Sequence, residues 1–468
     1  MSQAAALAAS RLAELVGAEQ VRNDPAALSP YQVDGLLPSA AVLPGSPEEI
    51  AEVLRFAAAE GLAVIPMGGR SKLGIGMPPR KYDVALDVSR MNRVLAYEPG
   101  DLTLGVEPGV RFAELSKQLA GERQLLPLGS PFAERATMGG IVAAGSDSPL
   151  RYGYGGMRDY VLGMEFVTGA GTVSKSGGRV VKNVTGYDLH KLLIGSLGTL
   201  AVITRINFRT FPVAPEQRTF LTAFEDSQPG LEAALEFCKR LAESQLQLRM
   251  LEVFSAGTAR LLAEGFLGVG EARCPARSWC VAANAAGHPA AVERHRRELE
   301  DMAREARRCE FYTLADEEGE ALLRALREFP RLAMGQFPGA AILRVAALPT
   351  ETAGFLQTIA QAAERNGLAQ ATLVRAAGVL YAALLPPAGD AEGLARVVSA
   401  CRELMAACVG MGARPTIEWC AMEVKRAMSV WPPADSGQKI AERLENVFDP
   451  QGILAPGRMD ADILSGGL

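Results

Sequence analysis

Pro66-Met-Gly-Gly-Arg-Ser-Lys-Leu-Gly-Ile-Gly76 decides how the first half of this chain is read. It follows a short apolar run, Leu62–Pro66, and a helix whose ends are written into the sequence. Ser46 is placed to cap that helix, Pro47 suits its first turn, and Glu49 stands three residues after the cap. Gly61 stops it after Glu60. With the apolar run Ala40–Pro44 ahead of the helix, Ala40–Pro66 reads strand-helix-strand, opening into Gly68-Gly69. Consecutive glycines let backbone N–H groups converge on an anion with no Cβ in the way. Ser71 adds a hydroxyl, and Arg70 or Lys72 a positive charge. The turn suits a pyrophosphate, and it suits a plain surface loop equally well. It is neither G-x-G-x-x-G nor the G-x-x-x-x-G-K-[ST] of a P-loop.

Downstream, Val84–Val88 and Leu102–Val106 read as strands and Phe112–Ala120 as a helix. Thr137-Met-Gly-Gly140 offers a second close backbone approach with one hydroxyl. Arg158-Asp159 leads into a strand, Val161–Thr168. Thr185 and Asp188 match a capping box for a helix Tyr187–Ile194, closed by Gly195, and Leu200–Ile203 and Arg205–Thr210 read as two strands. The texture changes at Phe211-Pro212. Beyond it, helices at Gly230–Ser244, Ala290–Arg308 and Glu317–Phe329 enclose strands such as Ala341–Ala346 and Val379–Leu385. A helix Ser436–Val447 precedes a patterned tail, Phe448-Asp-Pro-Gln-Gly-Ile-Leu-Ala-Pro-Gly-Arg458. The fold class expected is α+β, in two parts.

Composition narrows the function. At 468 residues the chain suits two or three domains. With 48 basic and 53 acidic residues, the net charge of −5 gives no footprint for nucleic acid. Only His190, His288 and His295 occur, which argues against a histidine-rich metal site or a Ser-His-Asp triad. Cys238, Cys274, Cys280, Cys309, Cys401, Cys408 and Cys420 form no C-x-x-C pair and read as reduced thiols, not as a disulfide frame or iron–sulfur ligands. Met1–Val16 lacks a basic start and an unbroken apolar run, so it reads as an amphipathic helix, not a signal peptide. No uncharged apolar stretch is long enough to span a membrane. A cytoplasmic location is expected, extending to the inner membrane face through partners.

The glycine-rich segments together resemble the FAD-binding domain of the vanillyl-alcohol oxidase/p-cresol methylhydroxylase superfamily. Its members show P-x-G-G-x-[ST], T-x-G-G, R-D-x-V-L-G, G-Y-D-L and G-S-x-G-T-L-x-V-I-T in that order. Here these are Pro66–Ser71, Thr137–Gly140, Arg158–Gly163, Gly186–Leu189 and Gly195–Thr204. The tail Phe448–Arg458 resembles F-D-P-x-x-x-x-N-P-G-[KR] of the same group. The resemblance implies a PCMH-type FAD-binding domain over 31–212 and an N-terminal helix in 1–30. An α+β cap or substrate domain would follow over 213–430, and 431–468 would pack back on the FAD domain. It also implies that Pro66, Met67, Gly68, Gly69, Arg70 and Ser71 carry the flavin pyrophosphate. Thr137, Gly139 and Gly140 would border diphosphate and flavin, and Val202 and Ile203 would offer backbone contacts. Relatives with a histidine in the first loop bind flavin covalently; this loop has neither His nor Cys, so dissociable FAD is expected.

Within the superfamily the resemblance runs to the FAD-binding subunits of glycolate oxidases and to D-lactate dehydrogenases. It implies a small 2-hydroxy acid as substrate of a complex, with a catalytic flavoprotein subunit and an iron–sulfur subunit as partners. The departures bear on chemistry. Related dehydrogenases carry H-x-G-x-G-N-x-H and G-E-H-G-[VI]-G-x-x-K-[RK] in the second domain. Here the corresponding stretches are Arg375–Ala382, without histidine, and Ile417–Arg426, which keeps Glu418 and Lys425 but has Trp419 in place of His. No metal is therefore expected. Leu197 stands where relatives often have Glu, and Ala455 replaces the tail Asn.

The candidate catalytic residues are Arg344, Arg375 and Glu418. Two arginines can clamp a carboxylate with charge-assisted bonds of about 1.5–3 kcal/mol each; the competing reading is an ion pair, or stems laid over apolar surface. Trp419 reads as a packed aromatic, His190 as structural and Cys420 as a small buried residue. Two alternatives stay open: a self-sufficient dehydrogenase, and an interaction protein that has lost its flavin.

Overall fold

The structure, a computed structural model, describes residues 3–179, 186–265, 275, 278–306, 308–376 and 378–460. The chain divides into two units, Met1–Ser146 with Gly156–Val213 and Pro433–Leu468, and Asp147–Gly155 with Ala214–Pro432. Both mix helices with sheets, as α+β requires.

In the first unit the strand-helix-strand reading holds. Ser46 Oγ accepts the Glu49 N–H at 3.2 Å, while the Glu49 carboxylate reaches one residue further back, to the Gly45 N–H at 2.7 Å. The helix Pro47–Glu60 ends on Gly61 at φ +62°, where a side chain would strain the backbone. It buries Ile50, Val53, Leu54 and Ala57. Ala40–Val42, Val84–Asp87 and Val64–Met67 pair in parallel, with Val21–Arg22 antiparallel on the outer side. The tail joins this sheet, because the Val64 N–H donates to Ile453 O and the Ala455 N–H to Val64 O, each at 2.8 Å.

A second sheet, antiparallel, runs Val94–Glu98, Thr103–Val106, Ala201–Arg209, Val161–Thr168, Val173–Gly177. Where the sequence suggests two strands there is one, Ala201–Arg209. Its register passes from Ile203↔Phe166 to Arg205↔Glu165, so Thr204 is the extra residue of a bulge. The helix expected over Tyr187–Ile194 is reduced to His190–Leu193. Thr185, half of its expected capping box, lies outside the described residues.

Ala455 and Leu197, the two departures from the family pattern, both hold left-handed backbone, at φ +43° and +53°. Asparagine enters that region more readily than other non-glycine residues. The tail motif's Asn thus has a backbone reason, and Ala455 keeps the same turn at a cost of about 1 kcal/mol.

The second unit is built on an eight-stranded antiparallel sheet. Its order is Cys309–Thr313, Glu216–Glu225, Ser278–Gly287, Leu248–Phe254, Ala369–Arg375, Val379–Leu385, Ala341–Ala346, Thr416–Trp419. Helices Gln228–Glu243 and Pro289–Ala306 pack on its first strands, and Thr352–Arg365 and Gly393–Gly410 on its later ones. The helix expected to stop at Phe329 continues through Pro330 to Gln336. Burial of Phe329, Leu332 and Ala333 on either side offsets the lost backbone hydrogen bond.

Candidate functional site: a glycine-walled cleft and a buried ion cluster

In the first unit, the turn after Val64–Met67 is pressed against the segment that leads into helix Met138–Ala143. A Cβ on Gly69 would stand 1.7 Å from Arg135 O, and one on Gly68 2.4 Å from Thr137 Oγ1. One on Gly139 would stand 2.6 Å from Pro108 Cβ. The glycines are therefore fixed first by chain-to-chain packing, where the sequence left a pyrophosphate turn and a plain surface loop equally open. Thr137 Oγ1 accepts the Gly69 N–H at 3.3 Å, tying the two segments together.

Beside this junction lies an open cleft. All of the residues expected to contact the cofactor line it: Pro66, Met67, Gly68, Gly69, Arg70, Ser71, Thr137, Gly139, Gly140, Val202 and Ile203. Leu197 and Gly198, from the family segment Gly195–Thr204, and Arg458, from the tail motif, line it too, as do Pro108, Ala143 and Ala144, which no sequence signal had singled out. The lining has two characters. Ile65, Val88, Pro108, Ala201, Val202 and Ile203 make an apolar wall, while Gly68–Ser71 presents backbone and a hydroxyl. An apolar wall suits flat heteroaromatic rings, and a glycine turn suits a diphosphate, so the residues present fit FAD.

The positive charges are arranged differently from expectation. Arg70, at φ +54°, pairs with buried Asp87 at 2.9 Å, and its guanidinium lies 4.8 Å above the Tyr31 ring. The Tyr31 hydroxyl donates to the same Asp87 oxygen at 3.1 Å. Lys72 Nζ donates to Ser130 Oγ at 2.6 Å and to Pro131 O at 3.3 Å. Both cations are engaged in holding the turn, which leaves anion binding chiefly to backbone N–H groups. Arg458 staples the tail to the same region, pairing with Asp34 at 2.8 Å and donating to Leu73 O at 2.5 Å.

In the second unit, Arg375 ends the strand Ala369–Arg375 directly opposite Glu252. Its guanidinium lies 2.8 Å from Glu252 Oε1 and 3.2 Å from Asp147 Oδ2, and all three side chains are buried. Two carboxylates thus share one buried guanidinium. Burial pushes the Glu252 carboxyl up to about 7, against the pull of Arg375 and with a push from Asp147. Arg375 also lies 5.4 Å from the centre of the Tyr381 ring. Tyr381 faces Arg344 across the next strand pair, and Arg344 Nε is 3.7 Å from Glu418 Oε1. Burial raises the Tyr381 phenol above its ordinary value.

The structure therefore brings Arg344 and Arg375 to one sheet face, with Glu418 at its margin. It corrects the idea of an arginine pair waiting for a carboxylate, because Arg375 already holds two. Arg344 is the more accessible member, its side chain 31% exposed. Glu252, Asp147 and Tyr381 were missed in the sequence. Glu252 alone left a signal, a carboxylate within the apolar strand Leu248–Phe254 that needs a counterion once buried.

Trp419 is buried, opposite Ile342. Cys420 is half-buried. His190 is buried with Nδ1 3.0 Å from Ser176 Oγ, and burial lowers its basicity, as befits a structural imidazole. Among the described residues no three His, Cys, Asp or Glu side chains gather as metal ligands. The described cysteines are free thiols, and Cys274 lies outside the described residues.

Comparison with known proteins bears on both units. Residues 38–177 match the family described as FAD binding domain. Residues 215–459, more than half the chain, match FAD linked oxidases, C-terminal domain. The glycolate oxidase subunit GlcD of Bacillus subtilis (strain 168) is 25% identical over 428 residues, 91% of this chain and 89% of that protein. The glycolate oxidase subunit GlcE of Escherichia coli (strain K12) is 35% identical over 166 residues, 35% of this chain and 47% of that protein. Among solved structures, 4-ethylphenol oxidase from Gulosibacter chungangensis, in complex with isoeugenol, matches with a TM-score of 0.77 and 21% identity over 98% of each chain, a likeness of fold alone.

Proposed function

Because this chain belongs to the FAD-linked oxidases and is an FAD-dependent oxidoreductase, we propose that it is the FAD-binding subunit of a 2-hydroxy-acid oxidase of the glycolate or D-lactate type. Bound FAD supplies the redox chemistry, taking up a hydride equivalent and passing on its electrons. The chain's own residues bind and orient it. Backbone N–H groups of Gly68–Ser71 take the diphosphate, Thr137, Gly139 and Gly140 border it, and Val202 and Ile203 lie along the apolar wall. The first loop has no nucleophile for a covalent link, so FAD is held reversibly. Acid precipitation should leave the yellow colour in the supernatant; colour in the pellet would contradict this.

One observation carries the subunit reading. The cofactor cleft is lined as FAD requires, while Arg375, the buried candidate for gripping a substrate carboxylate, is neutralised by Glu252 and Asp147. The likeness to glycolate oxidase subunits supports it. Partners of the expected kind would be a catalytic flavoprotein and an iron–sulfur subunit. Among the described residues no helix is long and apolar enough to cross a membrane; we place the protein in the cytoplasm, at the inner membrane face when its partners hold it there.

The isolated FAD-loaded chain, given glycolate or D-lactate and a dye acceptor, should show no turnover, and turnover should return with its partner subunits. Turnover by the chain alone would sink the reading. It would favour the self-sufficient dehydrogenase, for which the partly exposed Arg344 beside Tyr381 is the specific support. In that case Arg344→Met should abolish the rate.

A further inference from the structure

The Gly68–Arg70 turn has a second side. There it borders a broad, open cleft, whose lining includes Arg70, Arg111, Arg135, Ser89, Asn92 and a single acid, Glu114. Arg111 is drawn in by an antiparallel bridge to Thr137, and the Phe112 N–H donates to Ala136 O at 2.9 Å. That pairing sets Arg111 beside the segment bearing Arg135. The segment is held firmly, since the Arg135 carbonyl packs where a Gly69 Cβ would be. Neither Arg111 nor Arg135 forms an ion pair among the described residues; the Arg135 guanidinium lies only against the Phe132 ring, 5.6 Å from its centre. Arg70, Arg111 and Arg135 are all exposed. Arg70 is offset by Asp87, but Arg111 and Arg135 against the one acid, Glu114, still make the cleft a local reversal of sign on a chain of net charge −5.

We propose that this arginine-rimmed cleft is the docking surface for an acidic protein partner, the acceptor of the flavin's electrons. The inference rests on the proposed FAD reading. The acceptor is that of the proposed iron–sulfur partner; among the described residues of this chain no His, Cys, Asp and Glu side chains gather to hold a metal ion. A partner seated in the cleft would take two electrons from reduced FAD, one at a time, onto iron–sulfur clusters, and the two protons would pass to solvent. The cleft shares Gly68, Gly69, Arg70 and Thr137 with the cofactor cleft, so a partner seated there stands next to the cofactor's own wall. A protein surface is the fitting occupant because the cleft is open. A small anion would leave these exposed guanidinium groups in water, where screening keeps an ion pair weak. An opposing protein surface excludes that water and is steered by the same charges during approach.

The test uses the FAD-loaded chain and fluorescein-labelled poly-L-glutamate, followed by anisotropy at low salt. Binding should weaken at least about tenfold in R111E/R135E and fall steeply as salt is raised. The control R294E/R297E, on the exposed face of helix Pro289–Ala306, should bind like the parent. Flavin absorbance should be unchanged in both variants. That separates failure of this proposal from failure of the FAD reading, which would show as absent flavin in the parent. The milder R111Q and R135Q should each lose part of the affinity, should the reversal variant fold poorly. Equal binding by R111E/R135E would overturn the proposal. Displacement of the probe by micromolar citrate would also overturn it, assigning the cleft to a small anion.

Discussion

Gly69→Ala is expected to cost the chain its FAD. The added Cβ would lie 1.7 Å from the Arg135 carbonyl oxygen, a backbone atom that cannot swing aside as a side-chain tip can. Either the Gly68–Ser71 turn, which lines the cofactor cleft, must move, or the segment before Thr137 must, carrying with it Thr137, which lines the cleft too. Displacement by about 1 Å would break the Gly69–Thr137 hydrogen bond and spoil the convergence of N–H groups on the diphosphate. We expect FAD affinity to fall at least about 100-fold and stability by about 2–3 kcal/mol. Gly74→Ala, five residues further on and with nothing within 4 Å of its Cβ, should leave both nearly unchanged. Flavin fluorescence quenching on titration of apoprotein measures the first quantity and urea unfolding the second. Wild-type affinity in Gly69→Ala would show that the glycine turn does not hold the cofactor.

The second large effect concerns the buried ions. Arg375→Met leaves Glu252 and Asp147 without the guanidinium they share, and it should destabilise the second unit by about 3–5 kcal/mol. Glu252 adds a pH dependence of definite sign. The unfolded chain releases this proton near 4.5, whereas the folded chain holds it to about 7. The folded state is thus the better proton binder between those values. Its advantage is full below pH 4.5 and is lost as pH rises through about 7, a swing on the order of 3 kcal/mol. Glu252→Gln, neutral at every pH, should flatten that slope while keeping a hydrogen bond to Arg375. Urea unfolding at pH 5, 6, 7 and 8 measures both variants. A loss under 1 kcal/mol in Arg375→Met, or an unchanged slope in Glu252→Gln, would mean the cluster does not carry the electrostatics described.

How far the sequence could be read depends on the range of the interactions involved. The helix Pro47–Glu60 was legible to the residue because its cap, its proline and its closing glycine act within a turn of themselves. The strands Val161–Thr168, Ala341–Ala346 and Val379–Leu385 were legible because apolar runs bounded by turns are local too. The bulge at Thr204 was not, since it exists only relative to the partner strand. The candidate cofactor residues were found because glycines announce close approach, although what approaches Gly69 within the fold is Arg135. The pairing of Arg70 with Asp87, and of Arg375 with Asp147 and Glu252, spans many residues and leaves no local pattern. A lone arginine in a strand shows that a counter-charge is needed, and not whether a substrate or the protein supplies it.

The most direct test of the account is an anaerobic absorbance spectrum of the isolated FAD-loaded chain, before and after addition of glycolate or D-lactate. The flavin spectrum should stay oxidised, because Arg375 is held by the protein's own carboxylates, and should bleach once the partner subunits are added. A flavin that bleaches with the chain alone would contradict it and make this subunit the site of substrate oxidation.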